Sequence, residues 1–408
     1  MNIRALIALV VVIATLFFCG CFEEEKVVTA DMRGGKLTER KVNSAPTSEE
    51  NKPSNDELSN DRTSNDKPKT SIRSRDSIEA TLQSMTLAEK VGQMVMFGFE
   101  GTELNDDVIY LLKNFHFGGV IFFDRNLVSA AQTRKLVDDI TTTANQKAPL
   151  FFAIDEEGGL ISRGQDFLEA APSQEEIGLS GNPERATDCA RHNAQILRDV
   201  DVNLNFAPVA DVGSRDTRSF GYDAQTVAAF VDAAAQGYES ENFLYTLKHF
   251  PGIGKSKIDP HQEVSVIDVD RATLDAEDLP PFVRIIRGHD HSQFMIMIGH
   301  LKYSALDPMN SASLSPAVMT RLLRNELGFS GVVITDDLEM GAIKNNTDLQ
   351  SLGVQMILAG GDIALVCHSY DSQQIVYNSI LNAVKNGEIS EARINESVRR
   401  ILKMKAHL

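Results

Sequence analysis

Tryptophan is absent from this 408-residue chain and cysteine occurs only four times. Two of those cysteines, Cys19 and Cys21, close the first apolar run, so the rest of the chain holds Cys189 and Cys367 as its thiols, which excludes a disulfide framework. Basic residues are also scarce. Forty Lys and Arg stand against 57 Asp and Glu, and the resulting net charge of -17 argues against a polyanion-binding surface, so no nucleic acid partner is expected. The apolar run Ala5–Phe18 is too short for a comfortable membrane span. No glycine loop of P-loop or dinucleotide type is found, so no cofactor is expected.

What is present is a globular composition, 42% hydrophobic and 24% charged, with an atypical start. "MNIRALIALVVVIATLFFCGC" has one basic residue, an apolar stretch, then small residues and cysteine, the order of an export signal. Its ending resembles a bacterial lipoprotein signal over residues 1–20, which implies a lipid on Cys21, attachment to a membrane and an extracytoplasmic place in the cell envelope. Phe18 departs from the aliphatic residue usual in that pattern. Residues 21–76 include "NSAPTSEENKPSNDELSNDRTSNDKPKTS" and have too little apolar surface to offset the entropy of ordering, so they read as a disordered tether. A folded domain is expected over 77–408, opening on Thr86 and Glu89 as a capping box.

Along that domain short apolar runs alternate with amphipathic segments. Strands are expected at Gln93–Phe99, Gly119–Phe123, Leu150–Ile154, Val202–Ala207, Leu244–His249, Phe294–Gly299, Gly331–Thr335 and Asp362–Val366. Helices are expected at Pro183–Asp199, Gln225–Glu239, Pro316–Glu326, Ser372–Lys385 and Glu391–Lys405. Near-continuous apolar strands separated by helices indicate an α/β protein with a parallel sheet covered on both faces, and eight such units favour a (β/α)₈ TIM-type barrel.

In such a barrel the reactive groups gather at the carboxyl ends of the strands. The expected strand ends carry Asp155-Glu156-Glu157, a run through Asp211 to Arg218, Lys248-His249, His300 and Asp336-Asp337. Histidine and carboxylate are suitable zinc ligands, and His249, His261, His300 and Asp336 together admit that reading. No H-x-H or H-E-x-x-H spacing accompanies them, so no metal is expected. Spacing alone leaves the choice between Asp336 and Asp337 open.

The motifs "MTLAEKVGQM", "GGVIFF", "AIDEEGG", "NFAPVADV", "TRSFG", "KHFPGIGKSKIDPH", "MIGH" and "LGFSGVVITDDLEM" run in the order seen in glycoside hydrolase family 3. The chain most resembles the bacterial β-N-acetylglucosaminidase branch of that family, from about Met85 to Gly361. The resemblance implies a retaining exo-β-N-acetylglucosaminidase acting on glycans with terminal β-N-acetylglucosamine, peptidoglycan fragments among them. It implies Asp336 as nucleophile and His261, oriented by Asp259, as acid/base. Histidine suits that double role because its unperturbed pKa is about 6.5. Asp155, Arg218, Lys248, His249 and His300 are implied sugar binders, and Asp337 is expected to support the site or cap a helix. Several family members carry a second α/β domain after the barrel, and with the chain ending at Leu408 none is expected here.

Three positions depart from the family pattern. Leu160 replaces an arginine, Ile253 a histidine and Lys255 an acid, changes expected to remove polar contacts near the sugar and to reverse one charge. They motivate two alternatives: a lipoprotein that binds cell-wall sugars with little or no cleavage, or a β-glucosidase or β-xylosidase of the same family.

Overall fold

The computed structural model describes residues 70–213, 216–256, 265–344 and 348–408. The export signal, Cys21 and most of the tether expected from the sequence lie outside them.

Eight parallel strands form one sheet: β1 (Val95–Phe97), β2 (Gly119–Phe122), β3 (Phe151–Ile154), β4 (Leu204–Asn205), β5 (Leu244–Phe250), β6 (Phe294–Ile298), β7 (Val332–Thr335) and β8 (Ala364–Val366). From β1 to β7 each pairs with the next in chain order, and β8 pairs with β1. Between β7 and β8 a single parallel bridge joins Ile334 to Ile363, and the Asp362 and Ile363 amides donate to the Val333 carbonyl at 2.8 and 3.0 Å. The ring is thus nearly closed, the (β/α)₈ architecture expected from the strand count. A short parallel pair, Val266–Ile267 with Lys302–Tyr303, lies apart from this sheet.

Strands such as β2, β3 and β7 are buried at every residue, because one face fills the barrel and the other meets helices. The surrounding helices are amphipathic: Glu391–Lys405, capped by Ser390, buries Ile394, Val398, Ile401 and Leu402. At the start of the barrel Thr86 and Glu89 form the expected capping box. The helix Thr70–Ser84 begins ahead of the expected boundary at Ser77 and contacts the last helix, with Arg399 paired to Glu79.

All eight strands appear with bounds shifted by a residue or two from those expected, Gln93–Phe99 shortening to Val95–Phe97 and Asp362–Val366 to Ala364–Val366, and for two strands the reason is identifiable. The run Val202–Ala207 yields only Leu204–Asn205, because the Asn203 side chain takes over the pairing, accepting from the Phe152 amide (2.8 Å) and donating to the Leu150 carbonyl (3.0 Å). Strand β5 runs to Phe250, and its register against β6 shifts between Leu247 and Phe250. Such a bulge re-aims the side chains within it.

The amino-terminal side of the strands contains Lys405, whose Nζ donates to Gln93 Oε1 and to the Gly118 carbonyl, both at 2.7 Å, and lies 4.8 Å from the centre of the Phe151 ring. Burial pushes this amine down to about 7. The unfolded chain therefore binds more protons than the protein between pH 7 and the usual lysine value of about 10.4, and this residue makes stability rise with pH across that window. Relative to Lys405→Met, the wild type should gain about 3 kcal/mol between pH 7 and pH 9.5 in denaturant unfolding; parallel pH profiles for the two proteins would contradict the assignment.

Candidate active site

A cavity of about 680 Å³ opens at the carboxyl ends of the strands. Its lining includes Asp155 after β3, Arg218 after β4, Lys248 and His249 in β5, His300 after β6 and Asp336 after β7, so the candidate residues within the described segments meet in one place. Asp259 and His261 lie outside the described residues. Consecutive residues of a regular strand point to opposite faces. Lys248 and His249 nevertheless both reach the cavity, and they sit in the β5 bulge.

Lys248 is buried, with Nζ 2.6 Å from Asp155 Oδ1 and 2.6 Å from Glu157 Oε1. Burial alone would lower the lysine pKa, but Asp155 and Glu157 raise it above the usual value, so the ammonium is kept charged. Arg218 faces the same glutamate through two parallel bonds, Nε to Oε2 and Nη2 to Oε1, both 2.8 Å. Burial works to raise the Glu157 pKa, but Lys248 and Arg218 bring it down to about 2. Arg218 thus borders the cavity while its guanidinium is fixed by Glu157.

His249 donates from Nδ1 to Asp211 Oδ2 at 2.8 Å. The other Asp211 oxygen accepts the His249 amide at 3.2 Å and the Ile253 amide at 2.8 Å, which clamps the loop after β5 to the loop after β4. His300 is 1% exposed, and both of its ring nitrogens meet protein atoms: Nε2 donates to the Asp337 carbonyl at 2.9 Å, and Nδ1 lies 2.7 Å from the Ser313 hydroxyl. A carbonyl can only accept, so Nε2 carries a proton, and Nδ1 shares a hydrogen bond with the Ser313 hydroxyl. This geometry makes His300 a support for the Asp336-Asp337 turn and leaves neither nitrogen for a metal.

Asp336 accepts its neighbour's amide, Asp337 N to Asp336 Oδ1, at 2.9 Å. Burial pushes its pKa up, but His249, His300, that amide and Lys248 outweigh burial and hold the carboxyl below its usual range. It is ionised at neutral pH. Asp337 does the supporting work expected of it: Oδ1 accepts the Glu339 and Cys367 amides at 3.1 Å each, and Oδ2 lies 3.2 Å from His368 Nε2. The Asp337 side chain raises the His368 pKa.

Three partners were not singled out from the sequence. Glu157 and Asp211 were visible in "AIDEEGG" and "NFAPVADV" as polar residues near strand ends, but nothing in their spacing shows that they bind Lys248, Arg218 and His249. His368 follows β8 and had no signal beyond that position.

The departures at Leu160 and Lys255 do not alter the cavity as expected. Leu160 is 70% exposed, and neither residue is part of the described lining. Lys255 instead pairs with the buried Asp278 and, at 3.2 Å, with Glu277, so the reversed charge is matched away from the cavity. Ile253 does line the wall, where Cγ2 would lie 3.2 Å from a Cβ on Gly299.

Residues 86–404 match the family described as "Glycosyl hydrolase family 3 N terminal domain". A Beta-hexosaminidase of Xylella fastidiosa (strain M12) is 34% identical over 286 residues, covering 67% of this chain and 83% of the relative. Beta-hexosaminidase A of Pseudoalteromonas piscicida is 30% identical over 337 residues, 75% of this chain but 56% of the relative. The structure of a glycoside hydrolase family 3 beta-N-acetylglucosaminidase from Paenibacillus sp. str. FPU-7 superposes with a TM-score of 0.75 at 38% identity, covering 79% of this chain and 63% of that one. The chain thus spans little more than half of the Pseudoalteromonas relative and under two thirds of the Paenibacillus chain, but most of the Xylella protein.

Glu157 is a buried carboxylate held between two cations. Glu157→Gln leaves Arg218 and Lys248 short of a buried negative charge and should destabilise the protein by about 3 kcal/mol at pH 7. Because the native pKa is depressed to about 2, this contribution is present above the usual carboxylate value and disappears as pH falls towards 2. Unfolding curves at pH 7 and pH 3 check it: the gap between variant and wild type should narrow in acid, and a gap independent of pH would contradict the charge assignment.

Proposed function

Because the chain belongs to glycosyl hydrolase family 3 and is a glycosidase of the β-N-acetylhexosaminidase kind, we propose that it acts as a retaining exo-β-N-acetylglucosaminidase through Asp336. The observation that carries this reading is the ionised Asp336 on the cavity wall, with its backbone and neighbours fixed by His300 and Asp337. A retaining reaction needs such a carboxylate to attack the anomeric carbon, forming a glycosyl ester while the leaving oxygen takes a proton. His261, with Asp259 beside it in sequence, is the proposed donor of that proton and, in the second step, the base that takes one from water. Asp155, Lys248 and Arg218 present charged groups that bond sugar hydroxyls strongly, and His249 adds its ring to the same wall.

The natural substrates proposed are glycans ending in β-N-acetylglucosamine, peptidoglycan fragments among them. The export-signal pattern and the cysteine that ends it support a place in the bacterial cell envelope, with a lipid on Cys21 holding the protein to a membrane. Two of the three departures from the family pattern lie off the cavity, which favours turnover over binding without cleavage.

The test is release of the aryl group from matched β-N-acetylglucosaminide and β-glucoside substrates. The N-acetyl sugar should be cleaved faster, and Asp336→Ala should lower its turnover by at least about a thousandfold. Faster cleavage of the glucoside would overturn the specificity, and activity surviving in Asp336→Ala would overturn the nucleophile. His261→Ala should slow substrates with poor leaving groups far more than those with good ones, since only the former need the proton in the first step; equal slowing of both would remove His261 from that role.

A further inference from the structure

Between Asp155 and Glu157 stands Glu156, which is 0% exposed. Its backbone is clamped on both sides: the amide donates to Asn205 Oδ1 at 3.0 Å, and the carbonyl accepts from Asn205 Nδ2 at 2.8 Å and from Asn193 Nδ2, on the helix Glu184–Arg198, at 3.2 Å. Its side chain holds the turn that follows, with Oε2 accepting the Arg163 amide at 2.9 Å. Within that turn the Glu157 and Gly158 amides donate to the Ile161 carbonyl at 2.9 and 3.1 Å. Ile161 and Arg163 line the cavity, as do Asp155 and Glu157, whereas Glu156 is not part of the described lining and supports the wall from behind.

The charges of that wall are matched without it. Asp155 and Glu157 are balanced by Lys248 and Arg218, and Arg163, the cation on the turn, is paired with Asp124 at 3.0 Å. An ionised Glu156 would add a carboxylate that no ion pair among the described residues takes up. Its Oε1 has no hydrogen-bond partner among the described residues, and a buried carboxylate oxygen without a donor forfeits the bonds it makes in water. Arg163 and Glu157, the charged groups acting on it, oppose each other, and Tyr238 on the helix Ala224–Ser240 stays a neutral phenol because burial pushes its pKa up. Burial pushes the Glu156 pKa up to about 7, against the Ser162 hydroxyl and the amide and charge of Arg163, which act to lower it.

We propose that Glu156 is a positioning residue that works as a neutral acid: it fastens the turn carrying Ile161 and Arg163, leaves Asp155 and Glu157 matched to their cations, and slows the proposed reaction, on which this inference rests, when it ionises. A neutral carboxyl keeps the two-against-two balance of the wall, and a charged one sets three carboxylates against the same two cations.

The test is kcat/KM against pH for the wild type and Glu156→Gln, with an aryl β-N-acetylglucosaminide whose good leaving group needs no proton, so that the alkaline limb does not report the acid/base. The amide is close to the neutral acid in size and cannot ionise. Between pH 6 and pH 8 the wild type should lose about tenfold, the share of neutral acid that a pKa of about 7 removes, while Glu156→Gln should hold its pH 6 value. An equal fall in both proteins would overturn the proposal, and so would failure of Glu156→Gln to fold, since the amide stands in for the neutral acid. Denaturant unfolding reads the same proton without turnover. The contribution of the neutral acid is fully present below the usual glutamate value and is lost as pH rises through about 7, so from pH 5 to pH 8 the wild-type midpoint should fall relative to that of Glu156→Gln; midpoints that move in parallel would overturn the neutral acid. Absence of aryl release by the folded wild type at every pH would overturn the proposed function instead, and the midpoints would still decide the state of Glu156.

Discussion

Lys248 Nζ lies in the protein interior, 2.6 Å from both Asp155 and Glu157, and the top of the barrel is organised around matching that ammonium. A buried charge costs several kcal/mol unless it is paired and hydrogen-bonded. Two carboxylates would overcompensate a single lysine, and Arg218 restores the balance by holding Glu157 from the other side. Loops after β3, β4 and β5 are thereby bound to one another by charge. The same residues that hold the loops together line the cavity, so preorganisation and substrate recognition have a common origin.

A second set of bonds fixes the opposite wall. Asp337 gathers the amides of Glu339 and Cys367, and His300 reaches across from β6 to the Asp337 carbonyl. Asp336 is left between this frame and the neighbours that hold its carboxyl below the usual range. Placing a carboxylate in a buried wall raises its pKa, and the nearby histidines, amide and lysine reverse that tendency. A nucleophile needs that outcome, whereas a proton donor would need the reverse.

The barrel was legible because its evidence is local. Continuous apolar runs such as Gly331–Thr335 mark strands buried on two faces, and Ser390 before "EARINESVRRILKMK" marks a helix start. The positions of Asp155, Lys248, His249, His300 and Asp336 at strand ends followed from that framework. What sequence could not show was pairing across the barrel, where residues far apart in the chain meet: Glu157 with Arg218, Asp211 with His249, Asp337 with His368. Nor could it show the β5 bulge, which defeats the two-residue alternation that would have assigned Lys248 and His249 to opposite faces. The charge at Lys255 read as a change to the sugar site until its partner Asp278, on a separate segment, was in view.

The central claim is that Asp336 forms a covalent bond to the sugar. Incubation with a 5-fluoro N-acetylglucosaminyl fluoride, which slows breakdown of a glycosyl ester more than its formation, followed by peptide mass spectrometry, tests it directly. The account predicts one N-acetyl-fluorohexosaminyl adduct, on Asp336. An adduct on Asp337, or rapid turnover with no protein-bound sugar because the substrate's own acetamido group attacks, would contradict it.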